Sequence, residues 1–249
     1  MRTINLCWLA RGQDQLVRNL RASPIPTYSK PLIYSKMYNP RQYHIADELK
    51  VVFIDYILEH FGQDVIIGHE VMYGSDERFA DLVFLYNGYT YAVEVKSDSD
   101  SLNRINDQLA AYQKLFNYVI VVCGQKYKQH LKSNLPDGVG LFEVANERIV
   151  RRIKRPRRIT SKLDKQEMLL SIRASYLAQK ADFPVARKSA FSIREQYSKK
   201  RTSYIQEILY SYWYAKLRPA YETFLSNRGV QTLPNDLANF STLRVTPIV

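Results

Sequence analysis

Residues 79–96 read FADLVFLYNGYTYAVEVK, two β-rich runs joined by Asn87-Gly88. Asn-Gly between alternating apolar runs is the strongest short-range signal for a two-residue hairpin, because both central residues of that turn take positive φ. The turn fixes the register. Tyr86 faces Tyr89, Leu85 faces Thr90, and the same count sets Asp81 opposite Glu94. Directly opposed side chains have Cβ atoms about 4.5–5.5 Å apart, so two carboxylates there repel unless something neutralises them. Val83, Leu85, Thr90 and Ala92 share their face, and Leu82, Phe84, Tyr91, Val93 and Val95 line the other. Both faces are therefore expected to be covered, and the carboxylates partly desolvated. Ionised groups removed from water are costly unless paired or metal-bound. A hard cation such as Mg²⁺ or Mn²⁺ meets both requirements with carboxylate and carbonyl oxygens and water. Lys96, two residues beyond Glu94, shares its face and reaches the same place.

Around the hairpin, Ile45, Leu49, Val52, Phe53, Tyr56 and Ile57 recur at helical spacing, predicting a helix over 42–61 that stops at Gly62. Val65-Ile66-Ile67 is expected as a strand before the Gly74-Ser75-Asp76-Glu77 break. Leu102, Ile105, Leu109, Tyr112 and Phe116 predict a helix after the hairpin, with caps from Asp98 and Asp100. Tyr118–Cys123 is a continuous apolar run, expected as a strand buried on both faces. A helix over 125–134 and strands at 139–144 and 148–153 complete the core. The order is α-β-β-β-α-β followed by α-β-β.

With that order on the page, Asp81, twelve intervening residues, then Glu94-Val95-Lys96 resembles the PD-(D/E)XK nuclease superfamily of restriction endonucleases and RecB-like exonucleases. The resemblance covers roughly residues 42–153. Ala80 stands where the usual proline would be. Gln108 and Tyr112 reproduce the Gln-x-x-x-Tyr pattern of RecB-like members, on one helical face. Glu94–Asp98 with Asp100-Ser101-Leu102, Arg104 and Gln108 is similar to a family of uncharacterised bacterial and phage nuclease-like proteins.

The resemblance implies an α/β fold with a restriction-endonuclease-like core, a central mixed sheet flanked by helices. It implies that Asp81, Glu94 and the Val95 carbonyl hold Mg²⁺ or Mn²⁺, with Glu48 as a candidate further ligand or a plain surface charge. Lys96 would orient the attacking water and stabilise the phosphate. Arg104, Gln108 and Tyr112 would meet substrate or brace the site. The activity implied is hydrolysis of DNA phosphodiester bonds, in a phage or defence setting. Restriction-like members often dimerise, so a homodimer or protein partner is implied too. The alternatives are a nuclease-like fold that binds DNA without cutting, and an RNA-directed nuclease.

Composition points the same way. Lys and Arg total 36 against 24 Asp and Glu, a net charge of +12 that favours a polyanionic partner. Arg151, Arg152, Lys154, Arg155, Arg157 and Arg158 form a basic run suited to phosphate, or to a solvated linker. The chain divides into an arm over 1–41, with a short helix over 4–21, the core at 42–153, and a basic, aromatic-rich helical region at 154–249. Helices are expected there near 161–180 and 191–227. The Tyr210–Tyr214 group reads as core ahead of a base-stacking platform. No apolar run approaches the roughly 20 residues of a membrane span, so a cytoplasmic location is expected. Cys7 and Cys123 read as ordinary buried or semi-buried thiols, and His44, His60, His69 and His130 as structural. No Gly-x-x-x-x-Gly-Lys motif suggests intrinsic ATP-driven activity.

Overall fold

A computed structural model describes residues 45–75 and 78–240. The proposed arm, its helix, Cys7 and His44 lie outside the described residues. Helix α1 spans Ile45–Phe61 and buries Val51, Phe53, Ile54 and Ile57. Strands follow at Ile66–Tyr73 (β1), Arg78–Tyr86 (β2), Tyr89–Lys96 (β3), Tyr118–Cys123 (β4), Gly140–Ala145 (β5) and Ile149–Lys154 (β6). Helices Ile105–Gln113 (α2) and Lys128–Asn134 (α3) connect β3 to β4 and β4 to β5. The chain is thus an α/β protein with a six-stranded mixed sheet flanked by helices, its strands in chain order. β1–β2–β3 form an antiparallel meander, β3–β4–β5 run parallel, and β6 returns antiparallel. The two parallel connections each need a crossover, which α2 and α3 provide.

The turn is as the sequence requires, with Asn87 and Gly88 at φ 47° and 77°. Tyr86 pairs Tyr89 and the ladder continues to Leu82 with Val93. β1 runs further than the three-residue run suggested, through Gly68, His69 and Glu70, because pairing with all of β2 outweighs the local cost of a glycine. Gly68 also has a packing reason: a Cβ there would lie 2.7 Å from a Leu217 methyl.

The C-terminal region forms α4 (Lys165–Leu170), α5 (Ala174–Gln179), α6 (Ala190–Ser198), α7 (Thr202–Asn227) and α8 (Pro234–Phe240). Each of the two long helices expected there is interrupted. Asp164 and Ser189 cap α4 and α6 through their side chains and so start the first helix of each region, while the breaks fall at 171–173 and 199–201. Trp213 and Tyr221 are buried, Tyr212 nearly so, and Trp213 stacks on Phe116 at 4.9 Å between centroids. Within the Tyr210–Tyr214 group, Tyr212 and Trp213 are core, whereas Tyr210 is half-buried and Tyr214 is exposed. Asp55 of α1 accepts hydrogen bonds from Arg148, Arg228 and the Thr232 hydroxyl, fastening the C-terminal segment to the first helix. Among the described residues no helix is long and apolar enough to cross a membrane.

Candidate active site

Glu94 sits near the end of β3 with only 2% of its surface exposed. Burial of an ionised carboxylate requires partners for its oxygens, and it has them: Lys96 Nζ lies 2.7 Å from Oε1, and the buried Tyr112 hydroxyl donates to Oε2 at 2.6 Å. Lys96 also donates to Gln108 Oε1 at 3.1 Å. The four-residue spacing of Gln108 and Tyr112 on α2 thus presents both to β3. Burial first, and Glu94's charge second, hold the Tyr112 phenol well above its usual range, so it remains a donor.

Asp81 comes from β2. The β2–β3 ladder ends at Leu82 with Val93, and one step on Asp81 turns its Oδ2 to the Val95 amide at 2.8 Å. Its carboxyl is pushed up to about 6, by burial first and by Glu94's charge second, against opposing pulls from Lys50, the Val95 amide and Lys96. Two carboxylates therefore share one region, and one resists ionisation.

Some neighbours are absent from the sequence reading. Lys50 of α1 is buried, with Nζ 3.9 Å from Asp81, 3.3 Å from Asp47 and 3.3 Å from His69 Nε2. Burial and the Lys50 charge depress His69 to about 3, so it is neutral at ordinary pH. Glu70, beside it, occupies the β1 position between the His69–Leu82 and Val71–Ala80 pairs, across from Asp81, and takes φ 50°. A left-handed non-glycine residue inside a strand costs about 1–3 kcal/mol and is concentrated at functional sites. The only advance signal was a lysine on an otherwise apolar helix face, three residues after Asp47.

Other expected residues land less centrally. Glu48 is exposed, and Asp47 rather than Glu48 is the carboxylate that pairs with Lys50. Arg104 stands exposed at the start of α2. Asp98 and Asp100 do not cap α2. Asp100 accepts from the Ser97 amide and hydroxyl at 2.7 Å, and Asp98 accepts from the Lys126 amide, so both brace the loop ahead of the helix. His60 is exposed and stacks on Tyr56, while Cys123 is buried with its thiol pushed up to about 12 by burial.

The basic run is dispersed rather than a single patch. Arg151 and Arg152 are exposed on opposite faces of β6, by strand alternation. Lys154 donates to the Leu135 carbonyl, and Arg157 pairs with Asp137. Arg158 lies 4.7 Å over the Tyr89 ring, at the turn end of the hairpin; Arg155 is exposed.

Asp81, Glu94 and the Val95 carbonyl supply only hard oxygen donors, and burial first, with the Glu94 charge second, disfavours ionised Asp81 unless a cation offsets it. That donor chemistry fits a hard divalent cation. No cluster of three or more His, Cys, Asp or Glu suited to a metal occurs among the described residues, so such an ion would keep water in several positions.

Fold and site together define an α/β protein with a carboxylate pair and a lysine at the open end of a hairpin. Residues 40–241 match the family model of bacteriophage P4 protein cII, and the chain belongs to that family. Protein cII of Enterobacteria phage P4 is 31% identical over 121 residues, 47% of this chain. The match spans about half of that relative, 46% of its length. The SPO1766 protein of unknown function from Silicibacter pomeroyi is a solved structure with a TM-score of 0.40 and 14% identity, over 56% of this chain and 90% of its own.

Proposed function

We propose that this chain is a divalent-cation-dependent nuclease of the PD-(D/E)XK type, with a restriction-endonuclease-like core, that hydrolyses phosphodiester bonds in DNA. The observation that carries the reading is the convergence of Asp81, Glu94 and Lys96 at one end of the β2–β3 hairpin, with Gln108 and Tyr112 bonded to the last two. The net charge of +12 supports a nucleic-acid substrate, and the family's name supports a phage setting. Asp81, Glu94 and the Val95 carbonyl would hold Mg²⁺ or Mn²⁺. When bound, such an ion lowers the pKa of water and offsets charge on the phosphate oxygens. Lys96, now on Glu94, would neutralise charge developing on the phosphate with its ammonium. Tyr112 fixes the Glu94 carboxylate, and Lys50 offsets the charge of Asp81.

A second reading is favoured by a specific observation: both oxygens of Glu94 already accept strong bonds within the protein. In that case the cluster is structural and the basic fold binds DNA without cutting it.

One assay separates them. The protein is incubated with linear, circular and single-stranded DNA, and with RNA, in Mg²⁺, Mn²⁺ or EDTA, beside Asp81→Ala, Glu94→Ala and Lys96→Ala. Metal-dependent cutting of DNA lost in all three variants is the expected result. Cutting retained in all three overturns the site, and salt-sensitive binding without turnover selects the second reading.

A further inference from the structure

Across β3, β4, β5 and β6, Lys96 pairs with Cys123, Cys123 with Glu143, and Glu143 with Arg151. Laterally paired residues project from the same face. Glu143 therefore stands two strands from Lys96 on the candidate site's own face, roughly 10 Å away at the usual strand spacing. Between them the Cys123 thiol stays protonated and is no competitor for either charge.

Glu143 is only 2% exposed, and its two oxygens are treated unequally. Oε1 takes Lys128 Nζ at 2.9 Å, whereas among the described residues no donor reaches Oε2. A buried acceptor without a donor is rare in a folded protein and calls for an explanation. Glu143 also lines a cavity of about 270 Å³ with Gln125, Lys128, Asn146 and Arg151. That volume is near the lower edge of the roughly 300–1,000 Å³ common for small-molecule sites, so it suits one ring of a longer ligand. The carboxylate torsion is soft, and a small rotation presents Oε2 to the cavity.

The lining has a distinct chemistry. A carboxylate oxygen seeks a donor, two carboxamides offer either role, and Lys128 with Arg151 supply cationic charge at the rim. We propose that this cavity receives one nucleotide of the substrate strand. A base bearing an exocyclic amino group donates to Glu143 Oε2, and the adjoining phosphate rests on Arg151. Carboxylates accept from the cytosine amino group in this manner. Thymine has no exocyclic amino group, and its one edge donor, N3–H, is flanked by two carbonyl oxygens that repel the carboxylate, so it is disfavoured. The 10 Å offset corresponds to about three base steps at the 3.4 Å rise of one strand, so the cavity would select sequence to one side of the cleaved bond. The inference rests on the proposed nucleic-acid substrate and not on cleavage.

The test is calorimetric titration of the full chain in EDTA with hexameric oligo(dC), oligo(dA), oligo(dT) and inorganic phosphate. The wild type should bind oligo(dC) and oligo(dA) about tenfold more tightly than oligo(dT). Glu143→Gln, which offers an amide donor in place of an acceptor, should bring the three within about twofold. Arg151→Ala, an exposed change that leaves the fold intact, should weaken all three alike. Asp81→Asn should keep the base preference whether or not the wild type cuts DNA, so failure of the nuclease reading leaves this result legible. Equal affinity for all three oligomers, a preference unchanged in Glu143→Gln, or binding indifferent to Arg151→Ala overturns the proposal. Should Glu143→Gln not fold, the wild-type preference and Arg151→Ala decide alone.

Discussion

Glu94 and Glu143 are each 2% exposed, project from the same sheet face and lie two strands apart, yet their surroundings differ. Each has a lysine at less than 3 Å, but Glu94 has a second donor, Tyr112, while Glu143 Oε2 has none among the described residues. A charged group fully bonded by its own protein is held in one orientation. A group with one oxygen unmet carries a desolvation cost that a ligand can relieve. Under the proposals above, the difference suits Glu94 to a preorganised centre and Glu143 to recognition.

The largest effect expected from this contrast is catalytic. Glu94→Gln should lower metal-dependent cleavage about a thousandfold or more, equivalent to about 4 kcal/mol of barrier, whereas Glu143→Gln should change it about tenfold and only on amino-bearing sequences. Single-turnover rates on matched substrates measure both; equal losses would erase the distinction.

Stability comes next. Lys128→Met leaves Glu143 buried without a counter-charge and should cost about 3 kcal/mol. Tyr112→Phe strips one donor from Glu94, giving it the incomplete bonding of Glu143, at about 2 kcal/mol. Urea unfolding at neutral pH gives both values, and a smaller loss for Lys128→Met than for Tyr112→Phe contradicts this ordering.

A subtler effect is the pH dependence of stability around Asp81 and His69. Asp81 has its folded value raised from 3.8 to about 6, so its stabilising protonated form is lost as pH rises through that window. His69 is depressed from 6.5 to about 3, so its contribution is lost as pH falls from 6.5 toward 3. The slopes oppose each other between about 4 and 6, where the wild type should be nearly flat. Asp81→Asn removes one of them, and stability should then rise with pH by up to about 1.4 kcal/mol per unit. Denaturation midpoints from pH 4 to 7 measure this; a flat variant curve contradicts it.

The smallest effect is metal binding itself. At pH 7.5 saturating Mg²⁺ should raise the melting temperature by about 2–4 °C per kcal/mol of linkage. The rise should vanish in Asp81→Asn and shrink below pH 6, where the proton competes for Asp81.

Much of the centre was legible because it depends on short-range geometry. Asn87-Gly88 determines which residues of β2 and β3 face each other, and a four-residue spacing determines that Gln108 and Tyr112 share a helical face. The long periodic runs at 42–61 and 102–116 marked α1 and α2 for the same reason. Boundaries governed by local competition were less legible: α2 begins later than its periodicity suggested, because Asp100 bonds back to Ser97 instead of capping the helix.

The sequence by itself therefore determined the α/β order, the Asp81–Glu94–Lys96 arrangement and the net positive charge. Tertiary structure alone decided that Lys50 from α1 comes to Asp81, that Glu70 bends opposite it, and that Glu143 stands level with Lys96. It also decided that the residue 151–158 cations disperse over β6 and the segment that follows it. The physical reason is that Lys50 and Glu143 depend on pairings between segments separated by tens of residues, set by helix docking and parallel crossovers, while the Glu70 bend is a strand irregularity that no residue spacing encodes.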